Sequence, residues 1–600
     1  MFVNQSQAKS TKQSKFSYAY IDDDDGMLTA KGIPFDMRGD IDKLGGIWSP
    51  EKKAWKFIFT IERVEQFLSR IPDIVFEQGF AEKFKSQKAR EIALEKIRAL
   101  GKQNADVNFK VPGLKLEPYN YQKLGMMYAI TNGSGVLIAD EMGLGKTIQG
   151  IGVAEYLKSK GLVKKVLVVT PASLKYNWPL EISKFTDEKC IVIDGTPEKR
   201  MKQWMDDSAF FYIVNYELLV DLFGKSGGIK KKKSVGTPEQ QKKRFEQYSK
   251  IRQRQALLDS VRSRVWDLCI VDEAHALKHH LAQRTKNVKQ IRARLRIALT
   301  GTPLDGRLEE LHSVMQWVMP GLLCNKKMFF DRYVTTDIFG TPCGYRNVDE
   351  LKEKIKPFFI RRLKTDVLKS LPPKIYLNKL IELSDQEKKA YKEIADVKNY
   401  ENEGDALTAI IRCKQFCDYP EYVVPSVTNA SKLDVFLDMI DEIVGDNGHK
   451  VLVFSQYTTM LDVIELRLRK QGYTFLRIDG NTPTKDRAAM QEAFNKDPKI
   501  DMVIASEAGS TGLNLQAADY VFNYDDNWSP ALMNQREDRA HRNGQKNTVT
   551  VVNFICKGTI EERIRNVIYV KNRVSSDVLG DDLDVSVMKR LGIQQVAKML

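Results

Sequence analysis

DEMGLGKT, Asp140–Thr147, is the stretch that decides the fold of this chain. It follows an apolar, strand-like run, Gly135–Ala139, and precedes a helical pattern, Ile148–Tyr156. Strand, glycine-rich loop, Lys-Thr and helix are, in that order, the parts of a phosphate-binding loop. Gly143 and Gly145 let backbone N–H groups close on a polyphosphate, and the helix N-terminus adds its dipole. Lys146 is placed to neutralise the β/γ-phosphates and Thr147 to ligate Mg²⁺. Asp140 stands where the generic G-x-x-x-x-G-K-[ST] pattern has its first glycine. The nucleotide-site candidates are therefore Asp140, Glu141, Met142, Gly143, Leu144, Gly145, Lys146 and Thr147.

Bulk properties bound what surrounds the loop. At 600 residues the chain exceeds what one hydrophobic core serves, and three or four domains are expected. A hydrophobic content of 42% with 29% charged residues suits a globular chain rather than a disordered one. No apolar run reaches bilayer length and Met1–Lys15 is polar, so a soluble, intracellular protein is expected. The seven cysteines (190, 269, 324, 343, 413, 417, 556) are scattered. Cys413 and Cys417 have the wrong spacing for a zinc knuckle and no matching second pair, so reduced thiols and no structural zinc are expected. The formal charge of +16 points to an anionic partner. Residues 225–254 alone carry eleven Lys/Arg against two Glu. That run reads either as a solvated insertion or as a phosphate-backbone contact.

Along the chain, 1–26 reads as a polar tail ending in the acidic run Asp22–Asp25. Residues 27–80 form a small α+β unit: a strand in MLTAKGIPF, a short helix in DMRGDIDKLGG, a hairpin in IWSPEKKAWKFIF and a helix in TIERVEQFLSRI. Lys52 and Lys53 at the hairpin turn face solvent or nucleic acid. A charged helical connector spans 81–111. From 112 to 318 short apolar strands alternate with helices, at Gly135–Ala139, Lys165–Thr170, Ala209–Val214, Leu268–Asp272 and Arg296–Thr300. The basic insertion 223–258 interrupts this set. A second set fills 431–570, at Lys450–Phe454, Tyr473–Ile478, Met502–Ala505, Tyr520–Tyr524 and Val549–Phe554. Such alternation predicts doubly wound parallel sheets, an α/β fold. The second set has no phosphate loop, so two lobes sharing one nucleotide are expected. Between them 319–430 reads as a helical bridging region, and 571–600 as a C-terminal tail.

Two further motifs carry chemistry. The strand Trp266–Val271 runs into Asp272-Glu273-Ala274-His275, and an apolar strand ending in two acids is costly unless a cation waits there. Asp272 fits a Walker-B acid on Mg²⁺, and Glu273 is placed to orient the attacking water. In QREDRAHRNGQ (535–545), Arg539 and Arg542 are three apart and share a helix face. Alone, that helix reads as a salt-bridged surface; presented from a second lobe, the pair can act as fingers on the γ-phosphate. They would complete the site only when the lobes close.

Together DEMGLGKT, DEAH, LTGTPLDGRLEEL (299–311) and QREDRAHRNGQ resemble the Swi/Snf-type branch of the superfamily-two helicase ATPases. Tyr121-Gln122, RRLKTDVLKSLPPK (361–374) and NWSP (527–530) extend the resemblance over roughly residues 112–570. It implies two RecA-like lobes working on ATP and Mg²⁺, with Gln122 reading the adenine and Arg539 and Arg542 as the fingers. Thr300 and Thr302 would couple the nucleotide to DNA. Backbone contacts carry over to Thr170, Lys175 and Asn177 in TPASLKYNW, to Ser455 and Gln456 in VFSQY, and to Thr511 and Asn514 in SEAGSTGLNL. Ser510 breaks the family's paired glycines, and LTGTPL continues Asp305-Gly306-Arg307 where the family has Gln-Asn-Asn. The segment DIDKLGGIWSPEKKAWKF with the helix TIERVEQFL resembles a HARP-type module of the annealing helicases, a fork-remodelling group. Within the family the basic insertion lies where a helical protrusion approaches DNA, which makes Lys230, Lys231, Lys232 and Lys233 candidate DNA contacts.

The resemblance implies a DNA-dependent ATPase, a double-stranded DNA translocase that remodels branched or forked DNA by strand annealing and fork regression. A strand-separating DNA or RNA helicase and a DNA-binding scaffold with a vestigial ATPase stay open beside it. Intact Lys146, Thr147, Asp272, Glu273, Arg539 and Arg542 speak against the scaffold. A monomer acting on double-stranded and branched DNA, with no membrane, is expected. Its expected setting is the cytoplasm or nucleoid of a bacterium or virus-infected host rather than a nucleus.

Overall fold

Apolar, β-branched runs such as Val166–Thr170 (VLVVT) and Phe211–Asn215 (FYIVN) are buried along their whole length, as strands covered on both faces must be. The computed structural model describes residues 17–21, 28–33, 37, 46–57, 59, 61–71, 74–103, 106–219, 262–303, 307–323, 325–336, 342–368, 370–395, 403–507 and 512–579. Asp22–Asp25, the insertion 223–258 with Lys230–Lys233, Asp305, Gly306, Ser510, Thr511 and residues 580–600 lie outside them.

Among the described residues the first lobe is a seven-stranded, all-parallel sheet. Its order is Phe359–Ile360, Gly135–Ile138, Arg292–Leu299, Val265–Asp272, Val166–Thr170, Phe211–Asn215 and Cys190–Val192. Alternate residues enter two cores: Leu137, Leu167 and Val169 pack on one face, Val136, Ile138 and Val168 on the other. The second lobe repeats the plan with six parallel strands: Lys374–Ile381, Val549–Cys556, Tyr520–Asn523, Val451–Phe454, Met502–Ala505 and Phe475–Ile478. The α/β class holds for both lobes.

The stretch 319–430, expected as a helical bridging region, also gives a strand to each sheet. Phe359–Ile360 pairs with the strand that feeds the phosphate loop, and Lys374–Ile381 is an edge strand of the second sheet. The latter is largely exposed and carries two lysines, a composition that blunts an edge and masks a strand from sequence reading. Residues 361–373 are thus a strap with one end in each sheet.

The small unit is a five-stranded sheet in the order Ile47–Ser49, Ala54–Phe57, Leu28–Lys31, Tyr18–Ile21, Val75–Phe76. Tyr18–Ile21 belongs to the stretch read as tail. Its buried residues, Ala19 and Ile21, alternate over only four positions, too few to stand out beside an acidic run. Helix Ile61–Arg70 covers the sheet with Val64 and Phe67. Helix Phe80–Lys102 then leaves the small core at Phe80 and enters the first-lobe core at Leu94 and Ile97. Arg98 fastens its far end, donating to Tyr128 Oη at 2.6 Å and to the Phe359 carbonyl at 2.8 Å.

Candidate functional site

Parallel strands deliver their carboxyl ends to one edge of a sheet, and ligands bind there. Leu299 is in register with both Ile138 and Asp272, and Val271 with Val169. Thr170, Asp272, Leu299 and Ile138 therefore end level with one another, and Asp140, Glu273 and Thr300 emerge just beyond them. Gly143 and Gly145 adopt φ of 86° and 73°, values that suit glycine, and Gly145 caps the helix Lys146–Ser159. A Cβ on Gly145 would lie 2.5 Å from Gln122 Nε2 and displace that side chain. Gly301, next to Thr300, packs on the same loop, its absent Cβ only 2.4 Å from Met142 Cγ. Lys146 Nζ donates to the Asp140 carbonyl at 2.8 Å and to that of Glu141 at 3.4 Å. Burial draws the Lys146 ammonium below its ordinary pKa, against the fields of Glu273, Asp140, Asp272 and Asp538. Thr147 follows in the first helical turn.

Asp140, expected among the nucleotide contacts, has another occupation. Its carboxylate is wholly buried and accepts from Gln149 Nε2 at 2.8 Å, from Arg362 Nε at 2.9 Å and from Arg362 Nη2. Arg362 also donates to Gln149 Oε1 at 2.9 Å and to the Tyr121 carbonyl. The acid in the first glycine position thus ties the loop to the strap. Gln122 braces the loop from the other side: Oε1 accepts from Tyr119 N and Nε2 donates to the Leu144 carbonyl, both at 3.0 Å. The Tyr119 ring, stacked on Tyr121 with centroids 5.8 Å apart, is half exposed beside it.

The two acids differ. Asp272 Oδ2 accepts from Trp178 Nε1 at 2.9 Å and from Thr170 Oγ1 at 3.4 Å. Tyr216 Oη donates to the Asp272 carbonyl at 2.6 Å. Burial and then the neighbouring Glu273 push the Asp272 carboxyl up to about 6. Glu273 is held in the left-handed region, φ 49°, a strained setting for a side-chain-bearing residue. Burial pushes its pKa up, but His275, Lys146 and Arg539 outweigh this and hold it below the ordinary value. Glu273 Oε2 lies 3.1 Å from His275 Nδ1. The hard oxygen donors Thr147 and Asp272, with Asp272 carrying negative charge its surroundings do not balance, fit Mg²⁺.

The second lobe closes on this edge. Arg539 and Arg542, expected on one helix face, lie instead in the turns that follow the helix Pro530–Glu537. Arg539 donates from Nε to the Gln535 carbonyl at 3.1 Å and from Nη1 to the Leu513 carbonyl at 3.2 Å. Burial and then Arg542 draw its pKa down to about 10, while the charges of Glu273 and Asp538 oppose them. Arg542 rests on the loop itself, its Cγ 3.2 Å from where a Cβ on Gly143 would stand. Gly512 meets TPASLKYNW, its absent Cβ 2.9 Å from Asn177 Nδ2. Lys364, from the strap, joins the two sides. Its backbone N–H donates to Glu141 Oε2 at 2.7 Å, and its Nζ to Asp538 Oδ1 at 2.7 Å and the His541 carbonyl at 2.6 Å. Lys374 pairs with Glu537 and Asp538, each at 3.0 Å.

The other candidates are dispersed. Thr300 is buried and its Oγ1 accepts from Thr302 N at 3.1 Å. Lys175 pairs with Asp194 at 2.9 Å, and Asn177 opens the helix Asn177–Phe185. Ser455 is fully buried and donates to Asp525, while Gln456 Nε2 donates to Asp525 Oδ1 at 3.0 Å and the Asp526 carbonyl at 2.7 Å. In this conformation both organise an acid rather than a surface. Asn514 N donates to Gln491 Oε1 at 2.7 Å. Lys53, at φ 47°, stands exposed in the hairpin turn beside half-buried Lys52, far in sequence from the rest. Reading the sequence assigned no role to Trp178, Tyr216, Arg362 or Lys364. The last two lay within the quoted strap motif, and its paired basic residues were the available signal. Cys417, Cys556 and Glu561 come within 4.8 Å of one another, with Glu561 already paired to Lys432 at 2.6 Å.

Comparison with known proteins finds the SNF2-related domain over residues 119–422 and the helicase conserved C-terminal domain over 431–544. An uncharacterised ATP-dependent helicase of Mycoplasma pneumoniae is 30% identical over 478 residues, 78% of this chain and 42% of that protein. The human SWI/SNF-related matrix-associated actin-dependent regulator of chromatin subfamily A member 1 is 30% identical over 490 residues, 77% of this chain and 43% of that protein. The chain thus spans less than half the length of these relatives. The solved Sulfolobus solfataricus SWI2/SNF2 ATPase core in complex with dsDNA is 25% identical, covering 82% of this chain and 99% of that one at a TM-score of 0.37. No described helix is long and apolar enough to cross a membrane.

Proposed function

The chain belongs to the SNF2-related family of ATP-hydrolysing enzymes and carries the helicase conserved C-terminal domain, and on that premise we propose a translocase that moves along double-stranded DNA. Its work in this reading is the remodelling of branched or forked DNA by strand annealing and fork regression.

One observation carries the motor reading: Arg542 of the second lobe packs against the phosphate loop of the first, its Cγ 3.2 Å from where a Cβ on Gly143 would stand, while Lys364 joins Glu141 to Asp538 across the same gap. A catalytic site divided between two lobes makes closure and chemistry the same event. Lys146 and the loop N–H groups bind the β/γ-phosphates, and Tyr119 is available to stack on the base. Thr147 and Asp272 would hold Mg²⁺, which supplies charge neutralisation on the phosphate oxygens. Glu273, kept anionic by His275, Lys146 and Arg539, orients the attacking water and takes its proton. Arg539 and Arg542 stabilise the charge that develops on the γ-phosphate. Loss of the γ-phosphate weakens the hold between lobes, and alternating grip on one strand moves the motor. Thr170, bonded to Asp272 and placed in TPASLKYNW, supports a physical link between the acid and that grip.

The fork-specific part rests on the resemblance of residues 27–78 to a HARP-type module. Exposed Trp48 and Lys53 on one hairpin support nucleic-acid contact there. The test is ATP hydrolysis measured with forked, duplex and single-stranded DNA and with RNA. Duplex and fork should stimulate most; RNA stimulating best, or no stimulation, would overturn the reading. Lys146→Ala should abolish hydrolysis while sparing DNA binding. Removing residues 1–80 should keep duplex stimulation and weaken action on forks; equal fork activity would end the role given to the small unit.

A further inference from the structure

A basic cavity on the first lobe enters none of these steps. It has a volume of about 370 Å³, and its lining includes His280, Lys289, Arg296, His312, Trp317 and Lys326. These residues come from the segment after DEAH, the strand Arg292–Leu299, the helix Leu308–Val318 and the first position of the helix Lys326–Tyr333. Among the described residues no carboxylate stands within ion-pair distance of Lys289, Arg296 or Lys326. Burial lowers the pKa of Lys289 and of Arg296, and the Cys269 thiol alone opposes it at Arg296. Burial likewise lowers His280, and the charges that add to it are all basic: Lys326, Lys289, Lys286 and His279.

Two buried donors in the lining are also unspent. The Trp317 indole N–H, on a residue only 2% exposed, and the Arg296 Nε–H have no acceptor among the described residues. Arg296 Nη1 is fixed on the Trp317 carbonyl at 3.2 Å, which holds the two side by side. The N-cap of the helix Lys326–Tyr333, Asn325, lines the same cavity, so a positive helix end adds to the field. Buried donors without acceptors are costly, and cations without counter-charges repel one another. An oxyanion relieves both.

We propose that this cavity binds a phosphate-bearing anion, at a site separate from the nucleotide site. Its volume falls in the range of small-ligand pockets, ~300–1,000 Å³, which favours a free phosphorylated molecule. A phosphate diester of a DNA strand would answer the same chemistry. The proposal does not rest on the translocase reading. The test saturates the full chain with a non-hydrolysable ATP analogue and titrates inorganic pyrophosphate by calorimetry. One further site per chain is expected. Its affinity should fall about tenfold or more in the double variant Lys289→Gln, Lys326→Gln, which removes two charges and keeps polar side chains in their place. Trp317→Phe keeps the ring and removes the N–H; it should weaken pyrophosphate and leave the ATP analogue unaffected. Saturating duplex DNA then identifies the source. Undisturbed pyrophosphate binding assigns a free anion, and displacement, with weaker duplex binding by the double variant, assigns the DNA backbone. Absence of a second pyrophosphate site, or unchanged affinity in both variants, overturns the proposal.

Discussion

Asp140 shows how one side chain can carry a motif's departure from its generic form. Where the pattern has glycine, this chain has a buried acid whose partners are Arg362 and Gln149, 222 and 9 positions away. Spacing revealed the substitution, but only the fold reveals the partner. Trp178 acts similarly on Asp272, fixing the carboxylate through its indole N–H. Trp178→Phe keeps the ring and removes that bond, so kcat for ATP hydrolysis should fall about tenfold with KM little changed. Unchanged kcat would mean that Thr170 and Tyr216 orient Asp272 unaided. Glu155 is a residue-scale liability. Buried in the helix behind the loop, with Glu188 adding to the effect and Lys158 opposing it, its pKa rises from 4.5 to about 7. The native state holds this proton more tightly than the unfolded chain, so its stabilisation is complete below 4.5 and lost as pH rises through about 7. Glu155→Gln should therefore raise the urea midpoint at pH 8 and leave it unchanged at pH 4.

Among the elements, the strap 361–373 does more than connect. Arg362 holds the phosphate loop, Lys364 joins Glu141 to Asp538, and Lys374, the first residue of the next strand, secures Glu537 and Asp538. The phosphate loop and the arginine-bearing turns after the helix Pro530–Glu537 are thereby gripped by one short segment. Lys364→Met removes the ammonium and keeps the bulk. Hydrolysis should slow by about tenfold, as loss of a hydrogen bond between charged groups implies. Fluorophores on the two lobes should report a smaller closed population with an ATP analogue. A slower rate with undiminished closure would place the effect inside the catalytic step. The segment RRLKTDVLKSLPPK was visible as a motif; its function was not, because its partners lie 174 and 222 positions away.

Over the whole molecule, the helix Phe80–Lys102 decides how the small unit relates to the first lobe. It belongs to two cores at once, so in the translocase reading a movement of the first lobe would carry the sheet that holds Trp48 with it. Ala89 lies exposed between the two anchored ends. Ala89→Pro should break this strut at a local cost of about 3 kcal/mol. Duplex-stimulated hydrolysis should persist while fork remodelling declines; equal loss of both would mean the helix serves only the first lobe's stability. The sequence by itself determined the strand–helix alternation of both lobes, the phosphate loop, the DEAH acids and the arginine pair, since each is written in a few neighbouring residues. Tertiary structure alone decided that Tyr18–Ile21 completes the small sheet and that 319–430 divides between two lobes. It also decided that Asp140 serves the strap and that cations without a carboxylate partner among the described residues gather in a cavity behind the DEAH segment. Periodicity and loop chemistry are local and survive in one dimension, whereas the partner of a buried charge is chosen by packing across the whole chain.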